Sequence, residues 1–204
     1  MPPQEFPWGA ASMCDAVTQT LAATLPQLQS ELCLAAGMGV LLLAEMVLPA
    51  RERKAMGWIA VAFSLMALIL AVRSPAPAAR ISAMIFADSA TRLLRGLVAL
   101  AALVVALLAI RSKEAEGMPA GETYAFLLAA ALGCCLLGSS RNLLFLVIGM
   151  ETVSYASYLL AGFLREDLRS NEAALKYVLY GAVASGCMLF GISMLYGMAG
   201  TLDL

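Results

Sequence analysis

Histidine is absent from the 204-residue sequence. Its absence excludes histidine-ligated haem, histidine zinc sites, Ser-His-Asp triads and an imidazole general base. Proton chemistry in this chain is left to Glu, Asp, Lys, Tyr and water. Charge is also scarce: 13% of residues are charged, against roughly 25% in soluble domains. The net charge of −1 provides no basic field for a phosphate backbone, which excludes a nucleic-acid binder. The five cysteines, Cys14, Cys33, Cys134, Cys135 and Cys187, are odd in number and form no Cys-x-x-Cys. Cys134 and Cys135 are adjacent, so on a helix they point to different faces and make a poor metal clamp. All five read as small packing residues. The stretch 1–26 has no Lys or Arg, so it lacks the basic region of a signal peptide. No nucleotide-binding fingerprint occurs, and nothing in the chain is suited to carrying electrons.

Hydrophobic residues make up 62% of the chain, and the mean hydropathy is +0.85. A spanning helix needs about 20 apolar residues to cross roughly 30 Å of hydrocarbon. Six stretches qualify: 27–48, 56–72, 93–110, 123–140, 142–164 and 173–196. Backbone groups in lipid must be satisfied within their own segment, and no strand alternation points to a barrel. The fold class is therefore an all-α, polytopic membrane protein of about six transmembrane helices. Its expected organisation is an N-terminal extramembrane segment, 1–26, three helices within 27–110, and helices four to six within 121–204. The longest link, 73–92, contains an apolar piece at 81–87 that either lies at the interface or begins the third helix. Lys and Arg set orientation. Arg51, Arg53, Lys54, Arg111, Lys113, Arg165 and Arg169 gather in links on one side. Arg73, Arg80, Arg92, Arg95 and Arg141 gather on the other. The excess places both termini outside the cytoplasm.

Glu151 lies near the middle of a 23-residue stretch, 142–164, with no other charge. A charge at helix centre costs about 2.5–3.5 kcal/mol on insertion scales, and a glutamate side chain is too short to reach the headgroups from there. Burial disfavours the charged carboxylate, whereas a nearby cation favours it. A carboxyl held between those pulls can take up and release a proton, as a relay requires. Ser154, Tyr155 and Tyr158 follow at three, four and seven residues, which puts them on the same helical face. The plainer alternative is a structural glutamate bonded to a neighbouring helix. Lys176 is the second intramembrane charge. It stands four residues after Glu172 and within about 6 Å of the expected helix start, so it either snorkels or joins a polar face continued by Tyr180. Glu31 and Glu45, near the ends of the first span, read as interface residues. Asp88 reads as a cap of the third helix, with Ser89 and Thr91 as competing caps, and Trp8 and Trp58 as interface anchors. Gly181 with Ser185, and Ala182 with Gly186, have the four-residue spacing of close helix packing.

From Gly121 onward, several blocks together resemble subunit N of proton-pumping NADH-quinone oxidoreductase, in the antiporter-like membrane subunit family. They are Gly121-Glu-Thr-Tyr-Ala-Phe-Leu-Leu, Gly138-Ser-Ser-Arg-Asn-Leu-Leu, Ile148-Gly-Met-Glu151 and Tyr158-Leu-Leu-Ala-Gly-Phe163. Glu172-Ala-Ala-Leu-Lys176-Tyr177, Gly191-Ile-Ser-Met-Leu-Tyr-Gly197 and Gly200-Thr-Leu-Asp-Leu204 complete the set. The resemblance implies a membrane-arm subunit that moves protons while other subunits transfer electrons. It gives Glu151 and Lys176 proton-relay roles. This chain would bind no cofactor; NADH, FMN, iron–sulfur clusters and quinone would reside in partner subunits. The expected partners are other membrane-arm subunits and the lipid bilayer, and the expected location is a bacterial inner membrane. The family's subunits have about fourteen helices in two inverted repeats, whereas six are present here. The expected fold is thus an incomplete, N-terminal portion of that subunit, without the family's seventh-helix lysine. Two other readings are an antiporter-type subunit of a cation/proton antiporter or hydrogenase complex, and a non-catalytic membrane assembly fragment.

Overall fold

The computed structural model describes residues 25–47, 53–74, 85, 88–112, 119–164 and 166–204. A short 3-10 turn, Leu25–Gln27, leads into six helices: α1 Gln29–Val47, α2 Arg53–Arg73, α3 Ser89–Arg111, α4 Ala120–Gly138, α5 Leu143–Ala161 and α6 Leu168–Ala199. All six are long and apolar enough to cross a membrane, and each matches an expected span. Of the expected extramembrane segment only the last two residues are described. The 81–87 piece also lies outside the described residues, except Ile85, which forms an isolated antiparallel bridge with Ser140.

The helix ends follow local capping. Asp88 begins α3 by accepting a 2.7 Å bond from the Thr91 backbone N–H, as expected from its position. That bond, helped by the Thr91 hydroxyl, holds the Asp88 carboxyl below the usual carboxylate range. Asp167 begins α6 by accepting from the Arg169 N–H at 2.9 Å. This cap starts α6 five residues earlier than expected. At 32 residues, α6 is about 48 Å long and exceeds the roughly 30 Å of hydrocarbon.

Helices α1 to α4 form one bundle, α5 packs on α4, and α6 packs on α5. The bundle core joins Leu34, Leu41, Met56 and Leu128 with a series of alanines, including Ala60, Ala67, Ala99, Ala102, Ala106 and Ala125. Lipid is as apolar as leucine, so burial alone does not drive helices together there. Small residues that permit close approach, and polar contacts between helices, do so instead.

Two such polar contacts sit at opposite ends of α1. Near its start, Glu31 is buried and paired with Arg95 of α3, Oε1 to Nε 2.6 Å apart, with side chains 5% and 2% exposed. These two atoms lack hydrogen-bond alignment, so their attraction is mainly Coulombic. Ser30 Oγ donates to Glu31 Oε2 at 2.7 Å, and Arg95 Nη1 donates to the Gln27 carbonyl at 2.9 Å. Near the end of α1, Glu45 Oε2 accepts from the Gly121 backbone N–H at 2.5 Å. Pro119, at the N-cap of α4, makes no side-chain capping bond. Glu45 therefore places a carboxylate from another helix at the positive end of α4.

These contacts correct two expectations. Glu31 is buried in an interhelical pair rather than reaching the interface, and Glu45, half-buried near the end of α1, adds an interhelical bond there. Arg95 is a buried helix residue rather than a loop charge, and removing it from the loop count widens the basic excess on the other side. Breaking one partner of a buried pair strands a charge, whereas replacing both with apolar groups is often close to neutral. Arg95→Met should lower thermal stability in detergent by about 3–5 kcal/mol, and Glu31→Met combined with Arg95→Met should restore most of it. Equal losses in the single and double variants would contradict the role of the pair.

Candidate functional site

The turn that carries Glu151 is the one pressed against α4. A Cβ added at Gly133 would lie 2.8 Å from Val153 N and 2.9 Å from Gly149 O; one at Gly149 would lie 2.8 Å from Leu137 N. The two backbones touch on either side of Glu151 in sequence, and only glycine permits that approach. These glycines bring the α4 and α5 backbones into contact near the site. Glu151 itself is half-buried. It lies eight residues into the 19-residue α5, about 12 Å from one end and 15 Å from the other. Its Oε1 is fully enclosed and has no hydrogen-bond partner among the described residues.

Ser154, Tyr155 and Tyr158 follow Glu151 on the helix, but their surroundings differ. Ser154 is half-buried, Tyr155 is 62% exposed and Tyr158 is 9% exposed. Tyr155 meets the Tyr158 ring edge-on at 6.1 Å, and Tyr158 meets Tyr177 of α6 edge-on at 4.7 Å. The Tyr158 hydroxyl rests against Gly181, where a Cβ would collide with it. Ser157 Oγ lies 2.7 Å from the Ser154 carbonyl and 3.2 Å from the Tyr177 hydroxyl. The seam between α5 and α6 is closed further by Ala174 against Gly162 and by Ser170 Oγ donating to the Ala161 carbonyl at 2.9 Å. At the other end, Leu143 N–H donates to the Leu202 carbonyl and Leu204 N–H to the Arg141 carbonyl.

Lys176 is 64% exposed and pairs with Glu172 at 2.5 Å across one helical turn. It does not pair with Glu151. Because α6 starts at Leu168, Lys176 lies about 12 Å along the helix, twice the expected distance. Tyr180 is 77% exposed and stands outside the aromatic cluster; Tyr177 occupies the interhelical position instead. The contact role of Tyr177 and Ser157 was not legible in the sequence, although Tyr177 stands next to Lys176 and four residues before Gly181. Arg95 and Glu31 did leave a signal: a base and an acid, each within an apolar run. Cys135 is buried, Cys33 and Cys134 are half-buried and Cys187 is exposed; all four are free, and Cys14 lies outside the described residues. No group of three potential metal ligands occurs among the described residues.

The fold defines a multi-pass helical membrane protein with an acidic group enclosed at mid-helix. Residues 140–204 match the family described as NADH:quinone oxidoreductase/Mrp antiporter, transmembrane. The chain is 48% identical over 118 residues to NAD(P)H-quinone oxidoreductase subunit 2 of Prochlorococcus marinus, covering 58% of this chain and 23% of that protein. A second Prochlorococcus marinus relative of the same name is 40% identical over 147 residues, covering 72% of this chain and 29% of that protein. A chain of respiratory complex I from Thermus thermophilus superposes with a TM-score of 0.69 at 31% identity, covering 86% of this chain and 38% of that one. The membrane-bound sulfane sulfur reductase, an archaeal respiratory membrane complex, also gives a TM-score of 0.69. At 17% identity, over 89% of this chain and 38% of that one, that likeness concerns the fold alone. Over its last third the chain is thus similar to the NADH:quinone oxidoreductase/Mrp antiporter family, and over more of its length to NAD(P)H-quinone oxidoreductase subunit 2 and to a chain of respiratory complex I. These curated relatives carry the designation subunit 2 rather than N. The chain spans about a quarter of their length.

The notch at Gly181 makes a specific demand. Gly181→Ala should displace Tyr158 and cost about 1–3 kcal/mol through overpacking. Gly186→Ala, which meets no atom within 4 Å, should leave the thermal midpoint in detergent nearly unchanged. Equal behaviour of the two variants would rule out Gly181 as the seat of the Tyr158 ring.

Proposed function

We propose that this chain is part of a proton-translocating membrane-arm subunit of NADH-quinone oxidoreductase, coupling quinone reduction elsewhere in the complex to proton movement. The observation that carries this reading is Glu151, an ionisable group at the middle of a spanning helix with one enclosed oxygen that has no hydrogen-bond partner among the described residues. Such a group is costly in lipid and is tolerated where it serves an ion path. A positioned carboxyl with an unused hydrogen-bonding oxygen can accept and then surrender a proton. Ser154, Tyr155 and Tyr158 supply hydroxyls beside it on α5. Lys176, held by Glu172, and Tyr180 supply polar groups on α6. NADH, FMN, iron–sulfur clusters and quinone belong to partner subunits, and the setting is a bacterial inner membrane with other membrane-arm subunits alongside.

A second reading, an antiporter-type subunit of a cation/proton antiporter, is favoured by the family description, which spans both kinds of protein. In both readings Glu151 carries the proton, and the readings differ in what drives it.

Glu151→Gln keeps the shape of the side chain and removes its titration. In the assembled complex it should reduce NADH-driven proton pumping by roughly tenfold or more, as loss of a positioned proton-transfer group does. Unchanged pumping would refute the relay. Defective assembly on native gels with normal coupling in the surviving complex would favour a purely structural glutamate.

A further inference from the structure

The seam between α5 and α6 contains a hydroxyl pair that the relay above does not use. Ser157 Oγ has two acceptors within reach, the Ser154 carbonyl at 2.7 Å and the Tyr177 hydroxyl at 3.2 Å. A serine hydroxyl has a single proton, so it cannot serve both at once. When Ser157 donates to the carbonyl, Tyr177 is free to donate to Ser157. When Ser157 rotates and donates to Tyr177, the direction of the bond reverses. Two arrangements of the same atoms, related by hydroxyl rotation, are what a proton-hopping element requires.

The placement of the pair supports a link between helices. Glu151, Ser154 and Ser157 step along α5 at three-residue intervals. That spacing falls short of a full turn at each step, so the row winds about a third of a turn around α5 from Glu151 to Ser157. It begins at the enclosed carboxyl and ends against α6. Tyr177 receives it there; Lys176, the preceding residue, lies about 100° around α6 from it, and its Nζ is bonded to Glu172, so water spans the gap between the phenol and that pair. The Tyr158 ring, edge-on to Tyr177 at 4.7 Å and seated on Gly181, fixes the position of the phenol.

We propose that Ser157 and Tyr177 form the hydroxyl link through which protons cross between α5 and α6, joining the Glu151 row to the Glu172–Lys176 pair. This inference rests on the proton-transport reading of Glu151. The step is balanced: a proton arriving on the Tyr177 oxygen releases the phenol's own proton to Ser157, and Ser157 passes its proton to the next acceptor along α5. Both hydroxyls end neutral, and only the direction of their bond has changed. Water completes the hops between the side chains.

The test uses the assembled complex carrying Tyr177→Phe, Ser157→Ala, Ser157→Thr and Glu151→Gln separately, together with the Tyr177→Phe/Ser157→Ala double variant. Tyr177→Phe keeps the ring that packs on Tyr158 and removes only the hydroxyl. It should assemble normally on native gels, lower pumping per NADH by roughly fivefold to tenfold, and raise the solvent deuterium isotope effect on coupled turnover. Ser157→Ala should do the same, Ser157→Thr should recover most of the loss, and the double variant should be no worse than either single one because both break the same link. Normal pumping and isotope effect in Tyr177→Phe, with pumping lost in Glu151→Gln, would overturn the link and leave the glutamate reading standing. Normal pumping in Glu151→Gln as well would overturn both. A loss in Tyr177→Phe with none in Ser157→Ala, or a loss that Ser157→Thr does not repair, would overturn the pair.

Discussion

In hydrocarbon, a polar or charged group has no water to satisfy it and must find its partner in protein. That constraint organises this structure. The apolar runs, rich in Leu and Ala, make helices span but do not say which helix lies beside which. The few polar side chains supply the arrangement. Glu31 and Arg95 tie α1 to α3, Glu45 ties α1 to α4, and the Thr91 hydroxyl ties α3 to the Gly138 carbonyl at the end of α4. Each of these groups has found a partner. Glu151 differs because its enclosed Oε1 has neither a hydrogen bond nor an opposite charge beside it among the described residues, whereas the enclosed Glu31 Oε1 faces Arg95.

That contrast separates structure from function more clearly than depth alone. Glu31 is more deeply buried than Glu151, yet it sits against a guanidinium and a serine hydroxyl that satisfy its charge. Glu151 is held in place instead by backbone contact between α4 and α5 at Gly133 and Gly149. Its turn is fixed while the carboxyl end keeps unused hydrogen-bonding capacity, the combination a proton carrier needs. The α5–α6 seam then positions hydroxyls and rings at defined distances from the same helix.

Much of the fold was legible because crossing a bilayer is a question of length and composition. All six spans were evident from their apolar runs, and Asp88 was evident as a cap from its place before α3. Helix pairing was not legible. Arg95, inside the expected third span, counts with the basic charges at one membrane face until its pairing is seen, and Glu31 looks like an interface residue because its partner lies 64 positions away in sequence. The early start of α6 depends on a single cap at Asp167, and it moves Lys176 farther along its helix. In the candidate site, Glu151 stood out as a lone charge in an apolar run. Tyr177 and Ser157 did not, because tyrosine and serine are ordinary in membrane helices and acquire meaning only when two helices bring them within 3.2 Å.

In the proposed relay, the Glu151 carboxyl changes its protonation during turnover. Infrared difference spectroscopy on the assembled complex, comparing the resting and turning-over states, reads that change through the carbonyl stretch of a protonated acid. A carboxyl band that appears or shifts with turnover and is missing from the Glu151→Gln complex is the predicted result. A spectrum unchanged by that substitution, with the complex still pumping, would contradict it.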